Sequence, residues 1–246
     1  NERLQKENYK DYGNYLINDL TKINFKNKKI IELACGTAPM HFFLKEKLGI
    51  KIDCSDYSDE IVKRLIEDHN INAVTSNLAD LKEIQDKTYD YVIVGGGFYE
   101  DEDPYFYKNV FKSLKRILKE DGKAIVIMNR YLNILNLSMY LKSIYFCKLN
   151  PKSWGFLRKI FKKKPLNKVF ALYLYSVKFI NKELNNLGFC ENETTYVGLK
   201  DGLREFLNFY LNFNNIKKED RLIKIIKKLN LKKSFCTSVI ISVKKN

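Results

Sequence analysis

The chain has 246 residues, of which 45% are apolar and 13% aromatic; this is enough to bury a substantial interior and excludes a disordered chain. The length fits one α/β domain with insertions, residues 1–246, better than two domains. The formal charge of +15 is uneven, about −3 over residues 1–121 and about +18 over residues 122–246, an asymmetry that points to an anionic partner.

Leu4, Tyr9, Tyr12, Leu16 and Leu20 recur at helical spacing and predict an N-terminal helical cap within residues 1–28. A short apolar run at 29–34 predicts the first strand; it ends in a small-residue turn at 35–38, followed by a helix at 40–47. Strand 50–54 and helix 58–68 follow, with Ser58 as the N-cap. Strands at 71–74 and 91–94 precede a helix over 103–119, with Phe106, Val110, Leu114 and Ile117 on one face. Asp121 and Gly122 are expected to stop that helix and open a buried strand at 124–128.

The alternation then breaks. Residues 131–178 form a basic, aromatic-rich segment, expected to be a helical insertion, and no Asp or Glu occurs from Gly122 to Lys182. A helix closing at Gly188, a strand at 189–197, a second helical insertion at 198–234 and a last strand at 236–244 complete the pattern. The fold expected is a Rossmann-like, doubly wound, mostly parallel seven-stranded sheet with insertions after strands 5 and 6, its last two strands pairing antiparallel at an edge.

Cys35, Cys54, Cys147, Cys190 and Cys236 are odd in number, scattered and without a C-x-x-C pair; they read as reduced thiols, and no metal site is expected. No apolar run reaches the ~18 to 20 residues of a membrane span and the first residues are polar, so a cytoplasmic protein is expected.

The most specific run is Glu32-Leu33-Ala34-Cys35-Gly36-Thr37-Ala38, at the end of the first strand. Small residues there let a ligand touch backbone, but the dinucleotide pattern G-x-G-x-x-G is absent. A carboxylate at position 32 would repel a pyrophosphate and attract a cationic ligand. With an acid at 32, Ala34, Gly36 and Ala38, the run resembles the first motif of the class I S-adenosylmethionine-dependent methyltransferase family, with alanine at two positions where glycine is more usual. The resemblance covers nearly the whole chain in strand order. It implies S-adenosylmethionine as cofactor and S-adenosylhomocysteine as product.

The resemblance then assigns further contacts. Asp56, at the end of the second strand and about twenty residues after the turn, stands where an acid holds ribose hydroxyls, with Tyr57 flanking the adenine. Asn77 and Leu78 stand where side chain and backbone meet the adenine, Asn77 replacing a frequent Asp. Gly95 and Gly96, in a run of three glycines past the 91–94 strand, let backbone approach the ligand. The expected cofactor set is thus Tyr12, Glu32, Ala34, Cys35, Gly36, Asp56, Tyr57, Asn77, Leu78, Gly95 and Gly96. Tyr9 and Tyr12 close over the cofactor in this reading, and pack the core in the alternative one.

A hydroxyl acceptor benefits from a general base, for which Glu100, Tyr99 and His41 are the candidates, whereas an amine acceptor needs only to be neutral. The plainer readings are a solvated loop for Glu100 and a packed helix residue for His41. Three acceptors fit the basic half: a small anionic metabolite or nucleotide-linked sugar, RNA, or a lipid surface approached by the aromatic and polybasic run 153–164. Oxygen and nitrogen both stay open as the methylated atom.

Overall fold

The computed structural model describes residues 27–95, 106–129, 177–197, 199, 203, 216–229 and 238–246. Seven strands form one sheet: β1 (Ile30–Leu33), β2 (Asp53–Asp56), β3 (Ala73–Thr75), β4 (Tyr89–Val94), β5 (Leu118–Asn129), β6 (Phe189–Val197) and β7 (Ser238–Lys245), in the order β3-β2-β1-β4-β5-β7-β6. The first five pair in parallel, while β7 runs antiparallel to both β5 and β6. The expected mostly parallel sheet and antiparallel edge pair are present. What the strand pattern left open is the place of β7, which enters between β5 and β6, so that β6 points the same way as β1 and β4.

Helices α1 (Pro39–Leu48), α2 (Asp59–His69), α3 (Phe106–Ile117), α4 (Val177–Asn186) and α5 (Ile216–Lys228) complete the described chain. The core lies on both faces of the sheet because successive strand residues point to opposite sides. Ile31, Leu33, Val92, Val94 and Val126 pack with Phe111 and Leu114 of α3 and Ile180 of α4. Ile30, Tyr91, Ile93 and Ile125 face the other way, onto Met40 and Leu44 of α1. Each such aliphatic side chain contributes roughly 1.5–3 kcal/mol by leaving water. Glu32 shares the face of Ile30, and therefore points toward α1.

One boundary differs from expectation. α3 ends at Ile117, and Leu118 already pairs with Tyr89, so Asp121 and Gly122 form an irregularity inside β5 instead of a helix stop. Asp121 adopts φ 61°, and a Cβ on Gly122 would lie 2.8 Å from the Lys119 carbonyl oxygen. The turn signal was real, but a strand accommodates it as a bulge. The expected cap at 1–28, the 131–178 insertion and most of 198–234 lie outside the described residues; α5 is the described part of the last.

Candidate active site

The sequence order of neighbouring strands reverses at β1. Chain growth runs outward through β2 and β3 on one side and through β4 and β5 on the other, so a crevice opens between the carboxyl ends of β1 and β4. Leu33 lies in register with Val94, which brings Ala34 and Gly95 out of the sheet side by side. Cβ atoms built on Gly36 and Gly95 would meet nothing within 4 Å.

The turn after β1 explains why its sequence carries small residues at alternate positions. Ala34, Gly36 and Ala38 all take left-handed backbone, with φ 49°, 53° and 51°. An alanine held there costs roughly 1–2 kcal/mol, less what glycine loses in chain entropy. Ala38 repays part of this because its buried methyl packs with Cys35, Cys54, Leu65 and Ile71. Ala34 is only half-buried, and Ala34→Gly is expected to raise stability by about 0.5–1 kcal/mol, read as a higher melting temperature.

Glu32 is 2% exposed and does the work of a missing cap. Ala38, the N-cap of α1, has no side chain able to accept a hydrogen bond, and Pro39 follows it. From the adjoining strand Glu32 accepts the orphan amides of Met40 (3.4 Å) and His41 (3.1 Å). Desolvation outweighs these two bonds and pushes the carboxyl pKa up to about 8. The carboxyl is therefore mostly neutral at pH 7 without a ligand, and a cation placed beside it would favour its ionised form.

Asp56 ties two turns together. Its carboxylate accepts the amide of Gly36 at 2.8 Å and that of Ser58 at 3.0 Å. Ser58 in turn caps α2 by accepting from the Ile61 amide at 3.4 Å, as its sequence position predicts. Each carboxylate oxygen keeps a second lone pair, so Asp56 retains capacity for a hydroxyl. Tyr57 beside it is 77% exposed. Cys35 is buried, and its backbone amide donates to the Ser55 carbonyl at 3.0 Å.

Asn77 and Leu78 follow β3 at the same edge. The Asn77 side-chain oxygen accepts the Ala79 amide at 2.9 Å, and its backbone oxygen accepts that of Leu81 at 2.8 Å, an Asx-type turn. One lone pair of that side-chain oxygen is thereby occupied. Leu78 packs partly against the large core cluster.

His41 does not join this group. Its ring is buried, with Nδ1 2.8 Å from the Ile52 carbonyl oxygen just before β2 begins, and burial holds its pKa below the ordinary imidazole value. Ile52 lies four residues before Asp56, ~13 Å along an extended strand, so the ring is directed to the opposite end of β2. The packed-helix reading fits His41, and its use as a base does not. Tyr12, Gly96, Tyr99 and Glu100 fall outside the described residues. Among the described residues, no cluster of three or more His, Cys, Asp or Glu side chains suits a metal ion, and no helix is long and apolar enough to cross a membrane.

Comparison with known proteins bears on the fold. The profile of a methyltransferase domain matches residues 30–122, which span β1 through the start of β5. A search of curated proteins finds no match. Among solved structures, an S-adenosylmethionine-dependent methyltransferase from Archaeoglobus fulgidus superposes with a TM-score of 0.58 at 19% identity, covering 95% of this chain and 93% of that one. The phosphoethanolamine N-methyltransferase 2 of Haemonchus contortus, solved with S-adenosyl-L-methionine, gives a TM-score of 0.54 at 14% identity over 89% of this chain and 48% of that one. The same enzyme solved with phosphomonomethylethanolamine and S-adenosylhomocysteine matches equally well, at a TM-score of 0.54.

Proposed function

We propose that this chain, whose residues 30–122 match a methyltransferase domain, is a class I S-adenosylmethionine-dependent methyltransferase that methylates an oxygen or nitrogen of a small anionic acceptor, a metabolite or nucleotide-linked sugar. S-adenosylmethionine supplies an electrophilic methyl group on a sulfonium; the acceptor's lone pair forms the new bond while sulfur keeps the electrons of the broken one. The acceptor's proton leaves to solvent or to a base.

The chain's own residues then have positioning tasks. Buried Glu32 faces the ammonium of the methionine moiety, and the left-handed turn from Ala34 to Gly36 lets backbone reach it without a side chain in the way. Asp56 holds the ribose hydroxyls, Tyr57 flanks the adenine, and Asn77 with the Leu78 amide meets its edge. Gly95 would border the transferred methyl, and the family resemblance implies Gly96 and Tyr12 as further cofactor contacts. For a hydroxyl acceptor, Glu100 or Tyr99 receives the proton.

Gly95 offers a clean test, since neither strain nor a neighbour obliges it to be glycine. Gly95→Ala is expected to change stability by less than about 0.5 kcal/mol. Its methyl would stand in open space at the carboxyl end of β4, where the cofactor is proposed to lie, so affinity for S-adenosylmethionine is expected to fall about tenfold or more in calorimetric titration, a loss of about 1.4 kcal/mol.

The observation that carries the anionic acceptor is the charge distribution, about +18 in the second half with no acid from Gly122 to Lys182. The phosphorylated ligand of the Haemonchus contortus enzyme accords with it. The deciding measurement is release of S-adenosylhomocysteine during a screen of phosphorylated metabolites, nucleotide sugars and bulk RNA. Turnover on one of the first two classes is the expected result. Turnover confined to RNA overturns the small acceptor and leaves the cofactor assignment standing.

A further inference from the structure

Helix α5 covers the core with one side and leaves an apolar strip on another. Ile226 is buried, and with half-buried Leu222 and Ile223 it packs against Leu199, Leu203 and Tyr196. Ile225 and Leu229, four residues apart and hence on one face, are 48% and 61% exposed. Arg221 stands one turn before Ile225, and exposed Lys224, Lys227 and Lys228 occupy the adjoining solvent side. None of these four cations forms an ion pair with a described residue. Over residues 216–228 the sequence holds six basic and two acidic residues.

The topology places the packed side of α5 near the carboxyl edge of the parallel strands. β6 runs parallel to β1 and β4, because β7 is antiparallel to both β5 and β6. Its last residues, Tyr196 and Val197, therefore lie at the same edge as the crevice after β1 and β4, and α5 packs on Tyr196. Three strand spacings separate β6 from β4, ~14 Å in all.

We propose that α5 docks the protein on an anionic lipid surface, with Ile225 and Leu229 entering the headgroup boundary and Arg221, Lys224, Lys227 and Lys228 meeting lipid phosphates. Apolar side chains beside a cationic face are what an interfacial helix requires. A second copy of this chain would bring like charges together. Ile and Leu offer no face for base stacking, which argues against a nucleic acid at this strip.

The test is cosedimentation of the full chain with phosphatidylcholine vesicles, with and without phosphatidylserine, at low and high salt. Binding only to the anionic vesicles, weakened by salt, is expected. I225S/L229S should reduce partitioning roughly tenfold. Because both side chains are half exposed, melting temperature and S-adenosylmethionine affinity are expected to stay at wild-type values and certify the fold. K224Q/K228Q should weaken binding as well and flatten its salt dependence. Equal partitioning of I225S/L229S and wild type overturns the proposal, as does failure to bind anionic vesicles. So does competition by RNA that survives I225S/L229S, or a wild-type dimer that this variant dissociates. Each of these results is independent of which molecule accepts the methyl group.

Discussion

Exchange of Glu32 for glutamine is expected to weaken S-adenosylmethionine binding by about a hundredfold, since truncating one member of a buried charge pair costs roughly 2–5 kcal/mol. The same change should leave the ligand-free structure intact and raise its stability at pH 7, because burial pushes the folded carboxyl pKa up to about 8 while the unfolded wild-type chain is already ionised there and the amide is not. The amide oxygen of glutamine can still accept from one of the two orphan amides of α1. The pH dependence separates the roles. A folded-state pKa raised from 4.5 to about 8 means that the stability contributed by the protonated form is complete below 4.5 and is lost as pH rises through about 8. Melting temperatures of wild type and Glu32→Gln should therefore agree at low pH and separate toward pH 8, the wild type melting lower. In the proposed site a cofactor ammonium beside Glu32 would lower the carboxyl pKa again, so binding near pH 7 should release a proton. Calorimetry in buffers of different ionisation enthalpy reads that proton directly. Unchanged affinity with no proton release would remove Glu32 from the ammonium and leave it as the cap of α1 alone.

Asp56→Ala is expected to act on both affinity and stability. The carboxylate holds the Gly36 and Ser58 amides at 2.8 and 3.0 Å, and it is the bond to Gly36 that fastens the turn after β1 to the end of β2. Losing hydrogen bonds to a charged group costs about 1.5–3 kcal/mol, which a denaturant or thermal melt would record. If Asp56 holds the ribose hydroxyls as proposed, cofactor affinity should fall about a hundredfold, because that acceptor disappears and the turn after β1 loses its tie. Asp56→Asn keeps one oxygen acceptor, and is expected to recover part of the stability and little of the affinity. A drop in melting temperature with unaltered affinity would make Asp56 a structural tie only.

Much of this site is legible along the chain, since its residues follow a local order. A strand, a small-residue turn, a helix, then an acid about twenty residues on at the next strand's end can be read from spacing alone, and Glu32, Gly36 and Asp56 do converge at one edge. The sequence shows alanine at 34 and 38 where glycine is more usual, and the structure shows why small residues stand there, left-handed φ at every second residue. The cap of α1 also left a trace: Ala38-Pro39 opens a helix with no capping side chain, so a distant acceptor was required. Which residue supplies it follows only from Glu32 sharing the face of Ile30. His41 sits one turn into a helix beside the motif and was equally suited to catalysis by type; only its bond to the Ile52 carbonyl oxygen shows where the ring went.

By itself the sequence determined the alternation of strands and helices, the parallel β1–β5 frame and the uneven charge, because hydrophobic period and turn residues act over a few residues; the cofactor followed from the resemblance of the 32–38 run to a family motif. Only the tertiary structure decided that β7 enters between β5 and β6, that Asp121 and Gly122 bulge within a strand, that Glu32 caps α1, and that α5 buries Ile226 and leaves Ile225 and Leu229 exposed. Those outcomes depend on which distant faces pack together, and packing is a property of the assembled sheet that no local window contains.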